Sequence, residues 1–415
     1  MNVTDNRPRL VVFSTLFPNQ AQPQAGLFIR ERMFRVARHL PLTVVSPVPW
    51  FPFQSIIRHW RPHFRPPVAA WEELDGVEVF HPKFFSVPGL LKGLDGFFIA
   101  IGAWSCLAAL KKKERVDVLD AHFAYPDGYA ATLLAAWLGV PCTITLRGTE
   151  ARLARSRGFR RLLASALFRA QRVFSVSGSL ALLAATLGLA RERVRVIGNG
   201  VDLEKFTPID RNAARQILGI PREAVVLVTV GALVERKGFH RVISSIERLA
   251  SKVPNLHYLL VGGASPDGNI EGELHRQVAR AGLSDRIHFL GLYAPEDLHV
   301  PLSAANLFVL ATRNEGWANV ILEAMACGLP VVTTDVGGNR EVVSSPDLGI
   351  VVPFDDSAAL DEAIFRGLKM EWDRAAIREY AIQNSWDERV KVLIDELTLV
   401  FKRGREGEGK QRAER

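Results

Sequence analysis

At 415 residues, 48% apolar and 23% charged, the chain is long enough for two domains with separate cores and too apolar to be disordered throughout. Cys106, Cys142 and Cys327 lie far apart, which excludes a disulfide framework and a Cys-x-x-Cys zinc site and fits a reducing compartment. The net charge of +8 is uneven: residues 1–200 hold 26 Lys+Arg against 13 Asp+Glu, or +13, and residues 201–415 hold 26 against 31, or −5. That asymmetry directs the first half toward an anionic surface or ligand; nucleic acid is the rival, and no nucleic-acid-binding motif accompanies it.

The opening MNVTDNRPRL lacks the layout of a secretory signal and runs into a strand at Leu10–Thr15. The loop from Phe17 to Gly26 has no G-x-G-x-x-G, which argues against a nicotinamide or flavin dinucleotide site; Gly26 is a place where backbone can approach a diphosphate. A helix over Ile29–Leu40 puts Ile29, Met33, Val36 and Leu40 on one face among Arg30, Glu31, Arg32, Arg35 and Arg38. Strands follow at Leu42–Ser46 and Val77–Phe80, and between them Trp50–Arg61 mixes aromatic with basic residues. Phe97–Leu110, followed by Lys111, Lys112 and Lys113, reads as a buried core helix, too short to span a bilayer, with cations favoured at its C-terminus. The strand Asp117–Ala121 leads to His122, Cys142–Leu146 to Arg147 and Glu150, and Arg172–Val176 completes the half.

The boundary falls in GNGVDLEKFTP, residues 198–208, and a second series begins there. Its strands are Val225–Val230, Tyr258–Val261, Ile287–Leu290, Leu307–Ala311, Val331–Thr334 and Ile350–Val352. Short, continuous, β-branched runs separated by helical stretches are strands buried on both faces, so the fold class is α/β with two doubly wound Rossmann-like domains facing a cleft. The domains are 1–200 and 201–384; a helix at 385–401 packs back on the first, and 402–415 is a disordered tail.

The sharpest signal is Glu315-Gly316-Trp317-Ala318-Asn319-Val320-Ile321-Leu322-Glu323, running into MACGLPVVTT. Glu315 stands at a strand's carboxyl end, and Gly316 to Val320 open a helix whose first N–H groups suit an anion. Glu323 lies two turns into that helix, with a carboxylate able to accept from hydroxyls. Gly231-Ala232-Leu233-Val234-Glu235-Arg236-Lys237-Gly238 follows another strand and opens the next helix, with two adjacent cations.

These motifs, in this order, resemble the family-4 retaining glycosyltransferases of the GT-B fold, specifically over about residues 194–355. Asn199-Gly200-Val201-Asp202, Leu260-Val261-Gly262-Gly263, Phe289-Leu290-Gly291 and Gly337-Gly338-x-x-Glu341 agree with that family's smaller motifs. The resemblance implies that Glu315 contacts the donor sugar, Glu323 the ribose hydroxyls, and the backbone of Gly316, Trp317, Ala318, Asn319 and Val320 the sugar and diphosphate. It puts Lys237 and Arg236 on the diphosphate, with Gly26 and Asn199 beside the donor and His122 under the sugar. The chain departs from the family at Trp317-Ala318, where Phe-Gly or Phe-Pro is commoner, and at Ala232, commonly arginine. It departs again at Arg147-Gly148-Thr149-Glu150, often H-G-x-D, and Arg147 and Glu150 are assigned to the acceptor side. Implied partners are a nucleoside-diphosphate sugar and a hydroxyl acceptor, lipid-linked in one version. No metal, other cofactor or nucleic acid is expected. The expected setting is cytoplasmic, with the basic first half on the inner face of the cell membrane through Arg32, Arg35, Arg58 and Arg61. A sugar-nucleotide epimerase, a non-catalytic nucleotide-sugar-binding protein and a dinucleotide oxidoreductase remain as alternatives.

Overall fold

The computed structural model describes residues 7–23, 25–60, 64–265 and 268–413. The chain forms two units, residues 1–199 with 389–415, and residues 200–388.

In the first unit eight strands lie in the order Val194–Val196, Arg172–Ser175, Cys142–Leu146, Val118–His122, Leu10–Phe13, Leu42–Val45, Val77–Phe80, Trp71–Leu74. All neighbours are parallel except the last pair. Leu10–Phe13 and Val118–His122 are the adjacent strands at which the winding reverses. The loop after the first and His122 at the end of the second therefore meet where such sheets hold ligands. Val48–Trp50 and Lys83–Phe85 form a separate parallel pair. These short strands, Trp71–Leu74 and Val194–Val196 escape a sequence reading because they are brief, partly polar and at edges.

The second unit's six parallel strands run Ile287–Gly291, Leu256–Val261, Val225–Val230, Leu307–Leu310, Val331–Thr334, Gly349–Val352. Val226, Val228 and Val230 enter one core cluster, and Leu227 enters the other. Burial on both faces is why these strands read as unbroken apolar runs. The reversal lies between Val225–Val230 and Leu307–Leu310, which places the loops carrying Lys237 and Glu315 side by side.

Three expectations need correction. The closing helix is Trp386–Ala413; Val390, Leu393, Leu397 and Val400 join Val12, Met33 and Val118 in the first unit's core. The backbone stays helical to Ala413, where a disordered tail was expected, because extending an anchored helix adds a hydrogen bond per residue without a new nucleus; residues 414–415 lie outside the described residues.

The arginine-rich helix, Leu27–Ala37, is not a basic docking face. Arg32 is fully buried, Arg35 pairs with Glu31 at 2.6 Å and Arg30 pairs with Asp75. Arg32 sits three residues after Ile29 and four before Val36, so it lies on the inward stripe. Arg61 lies outside the described residues.

The helix expected at Phe97–Leu110 is Asp95–Lys113, and with the turn from Lys92 it is long and apolar enough to cross a membrane by length and composition. One face, with Ile99, Ala100, Ala103 and Leu107, is buried in the unit, while Phe97, Ile101 and Trp104 are exposed. It is therefore a core helix on one side only.

Candidate functional site

Lys237 ends a single 3-10 turn, Glu235–Lys237, after the strand Val225–Val230. The next residue, Gly238, has φ 80°, and a Cβ there would stand 1.9 Å from the Ala311 carbonyl oxygen, so only glycine fits. That approach pins the turn to the neighbouring loop. The Arg236 carbonyl accepts from the Arg313 N–H at 2.8 Å and the Thr312 hydroxyl at 2.9 Å. Lys237 Nζ then donates to Glu315 Oε1 at 2.6 Å, and the Thr312 hydroxyl oxygen lies 3.3 Å from the same atom. Arg236 stands 3.8 Å from it and is the more exposed cation, 39% against 13% for Lys237.

Glu315 is backed by Gly337, at φ 54°, where a Cβ would lie 1.7 Å from the Glu315 carbonyl oxygen. The helix Asn319–Ala326 starts with Ala318 at its N-cap, a residue whose methyl side chain makes no cap hydrogen bond. A helix start of this kind suits an anion. Gly316, Trp317, Asn319 and Val320 are half-buried and Ala318 is buried. Glu323 is the fifth residue of the helix, one turn in rather than two, and half-buried. The strand-end glycines also converge: the Gly231 N–H donates to the Val261 carbonyl at 2.9 Å and the Gly262 N–H to that of Gly291 at 2.8 Å.

A second constellation belongs to the first unit. His122 is fully buried, and Arg147 donates to its Nδ1 from Nε at 3.3 Å and from the neighbouring Nη2 at 3.0 Å. A guanidinium has donors only, so Nδ1 must be an acceptor and the neutral ring carries its proton on Nε2. Burial first, then Arg147 and Arg32, hold the His122 pKa well below the usual histidine range. Asp120 Oδ2 is 3.7 Å from His122 Nε2; burial raises the Asp120 pKa to about 6, against the Thr143 hydroxyl and the charges of Arg32 and Arg147.

Arg147 also donates to Asn199 Oδ1 at 2.9 Å and lies over the Phe28 ring at 5.2 Å. Asn199, expected beside the donor, thus holds Arg147. Glu150 is not a free acceptor-side group: it is buried and accepts from the backbone N–H groups of Ala124, Arg147 and Gly148 at 3.0, 3.2 and 2.8 Å. Gly26, at φ 65°, has its own local reason to be glycine, since a Cβ would meet the Leu16 carbonyl oxygen at 2.4 Å.

Asp120 and Thr312 escaped the sequence reading, and Arg32 was expected on the membrane-facing side and is buried. A lone carboxylate inside the apolar run Val118–His122 was the available signal for Asp120. Among the described residues no group of three His, Cys, Asp or Glu side chains is placed to hold a metal ion.

Two doubly wound parallel sheets, one carrying a lysine–glutamate pair at its switch point, define a GT-B protein. Residues 210–384 match the model Glycosyl transferases group 1, and residues 67–205 match Glycosyltransferase Family 4. The chain belongs to the family-4 glycosyltransferases of the GT-B fold. A D-inositol 3-phosphate glycosyltransferase of Corynebacterium urealyticum is 34% identical over 215 residues, 49% of this chain. The chain spans about half the length of that relative, 51%. TuaC of Bacillus subtilis, provisionally assigned as a teichuronic acid biosynthesis glycosyltransferase, is 27% identical over 86% of this chain and 88% of its own. Among solved structures, HepE of Anabaena with UDP superposes with a TM-score of 0.71 at 20% identity, covering 94% of this chain and 99% of that one, a likeness of fold. HepE is also solved with UDP-glucose.

Proposed function

We propose that the chain moves a hexose-type sugar from a nucleoside diphosphate to a hydroxyl acceptor, with retention at the anomeric carbon, in assembly of a cell-surface polysaccharide or glycolipid. The observation that carries this reading is the Lys237–Glu315 pair beside the helix start at Asn319. A half-buried ammonium with an exposed guanidinium next to it, Arg236, suits a leaving diphosphate, whose charge develops as the sugar departs. With those cations fixed, the reading invokes no metal and no other cofactor. Glu315 is assigned to the donor sugar and Glu323 to the ribose hydroxyls. In the first unit the strand end at His122 is assigned to the donor-sugar side, with the neutral ring, fully buried between Arg147 and Asp120, holding that strand end from within. The names of the relatives and the UDP-glucose complex of HepE support a nucleotide-sugar donor. The acceptor is proposed to be lipid-linked, with the protein cytoplasmic and peripheral on the inner face of the cell membrane.

A panel of radiolabelled nucleotide sugars, assayed for acceptor-independent hydrolysis in chelator, tests the donor. Hydrolysis of one donor without added metal is the expected result; a strict magnesium or manganese requirement would overturn the metal-free assignment. Glu323→Ala should weaken nucleotide binding by about 1.5–3 kcal/mol in calorimetry, the worth of a hydrogen bond to a charged group. Unchanged affinity would remove Glu323 from the ribose.

A further inference from the structure

We infer that the exposed face of the helix Asp95–Lys113, together with Trp137, docks on an anionic bilayer. The inference rests on the membrane part of the proposed function and gives it a surface, one different from the arginine-rich helix expected from the sequence. The helix is apolar all round yet only one side is covered, which is uncommon for a packed helix. Phe97, Ile101 and Trp104, at spacings of four and three residues, share the uncovered side and are 46%, 53% and 38% exposed. Trp137 on the helix Tyr129–Leu138 is 46% exposed and stacks edge-on against Trp104, ring centroids 5.6 Å apart. Leu91 and Leu94, just before the helix, extend the strip.

The strip is held in place from behind. A Cβ on Gly102 would lie 2.4 Å from the Lys83 carbonyl oxygen, so the helix cannot roll to bury its outer side without breaking that approach. The charges choose the occupant. Lys111, Lys112 and Lys113 are exposed in the last turn, Lys111 with its ammonium on the Leu138 carbonyl and Lys113 3.7 Å from the Glu114 carboxylate. Among the described residues the helix itself carries one acid, Asp95, which is paired with Lys92 at 3.0 Å. An aromatic–aliphatic centre with a cationic C-terminal end matches an acyl interface under anionic headgroups. Crossing the bilayer is not what this geometry offers, since the opposite face is packed into the unit.

The test is co-sedimentation of the full chain with vesicles of phosphatidylglycerol and phosphatidylcholine, or of phosphatidylcholine alone, without donor or acceptor. The chain should pellet with the anionic vesicles at low salt, release at high salt, and leave the neutral ones. Brominated acyl chains should quench tryptophan fluorescence of the parent more than that of a Trp104→Phe, Trp137→Phe double variant. Phe97→Gln with Ile101→Gln should lower partitioning by about two orders of magnitude, and replacing Lys111, Lys112 and Lys113 by Gln should lower it at low salt. Circular dichroism and a thermal midpoint like the parent's show that these variants fold, and unchanged calorimetric nucleotide binding separates this result from any failure of the donor assignment. A chain that stays in the supernatant with anionic vesicles overturns the inference. So does a Phe97/Ile101 variant that binds as well as the parent, or a solution dimer abolished by Ile101→Gln.

Discussion

Lys237 and Arg236 are adjacent in sequence but not in surroundings. Lys237 is half-buried and touches the Glu315 carboxylate at 2.6 Å, whereas Arg236 is more exposed and 3.8 Å away. An ion held where water is scarce acts on developing charge far more strongly than one that water screens. Lys237→Ala is therefore expected to lower turnover by about 10²–10³-fold, the usual loss of one fixed electrostatic group, and Arg236→Ala by about tenfold. Initial rates at saturating donor check the ranking, and a larger loss at Arg236 would reverse the two roles. The motif spacing made both cations and both glutamates legible, because the groups sit on strand-end loops whose order the sheet fixes. Arg147 was not legible in the same way. Its position was evident, but its partners, His122 and Asn199, lie 25 and 52 residues away, and no local pattern joins them.

The elements that carry the Lys237–Glu315 site depend on glycines that bring backbones together. Gly337 combines a left-handed backbone with an approach of 1.7 Å to the Glu315 carbonyl oxygen that a Cβ would require. Gly282 has a similar φ of 66° with open space around it. Comparing the two separates strain from collision. Gly282→Ala should cost only the backbone term, about 1–2 kcal/mol of stability, and leave nucleotide affinity intact. Gly337→Ala must also displace the Glu315 loop, so nucleotide affinity should fall markedly while circular dichroism stays that of the parent. Equal affinity in both variants would show that the Glu315 loop tolerates the shift.

The strands of both sheets were legible for a related reason: burial on both faces writes a continuous apolar run. The faces of the helices were less so. Arg32 was expected outside and is inside, and Phe97–Leu110 was expected inside and is half outside. Periodicity locates a stripe, but what covers the stripe is decided by elements distant in sequence. Trp104 is met by Trp137, and the Arg32 guanidinium lies near Asp120 and Arg389.

Across the whole molecule, among the described residues, the fully buried carboxyl and histidine groups held away from their usual pKa all lie in the first unit. They are Asp120, His122 and Asp127, so sensitivity to pH should concentrate there. Asp127 offers the clearest case. It is fully buried and accepts from the Thr15 N–H at 3.0 Å, the Thr15 hydroxyl at 2.9 Å and the Ser14 hydroxyl at 3.4 Å. Burial nevertheless dominates, with Glu150 adding to it, and raises its pKa from 3.8 to about 7. A carboxyl whose folded pKa is raised binds its proton more tightly when folded. Its contribution to stability is thus fully present below pH 3.8 and is lost as pH rises through about 7. Asp127→Asn removes that titration while keeping one acceptor for Thr15, so the variant differs from the parent by a constant plus this term. Between pH 5 and 8 the parent should lose roughly 1–3 kcal/mol relative to the variant. Hydrogen exchange of amides in Leu10–Phe13 and Val118–His122, measured at both pH values, reads the first unit directly. A parent that gains stability over the variant as pH rises would mean that the Thr15 and Ser14 hydrogen bonds outweigh burial. In that case Asp127 is a charged anchor for the first loop and not a proton-binding one.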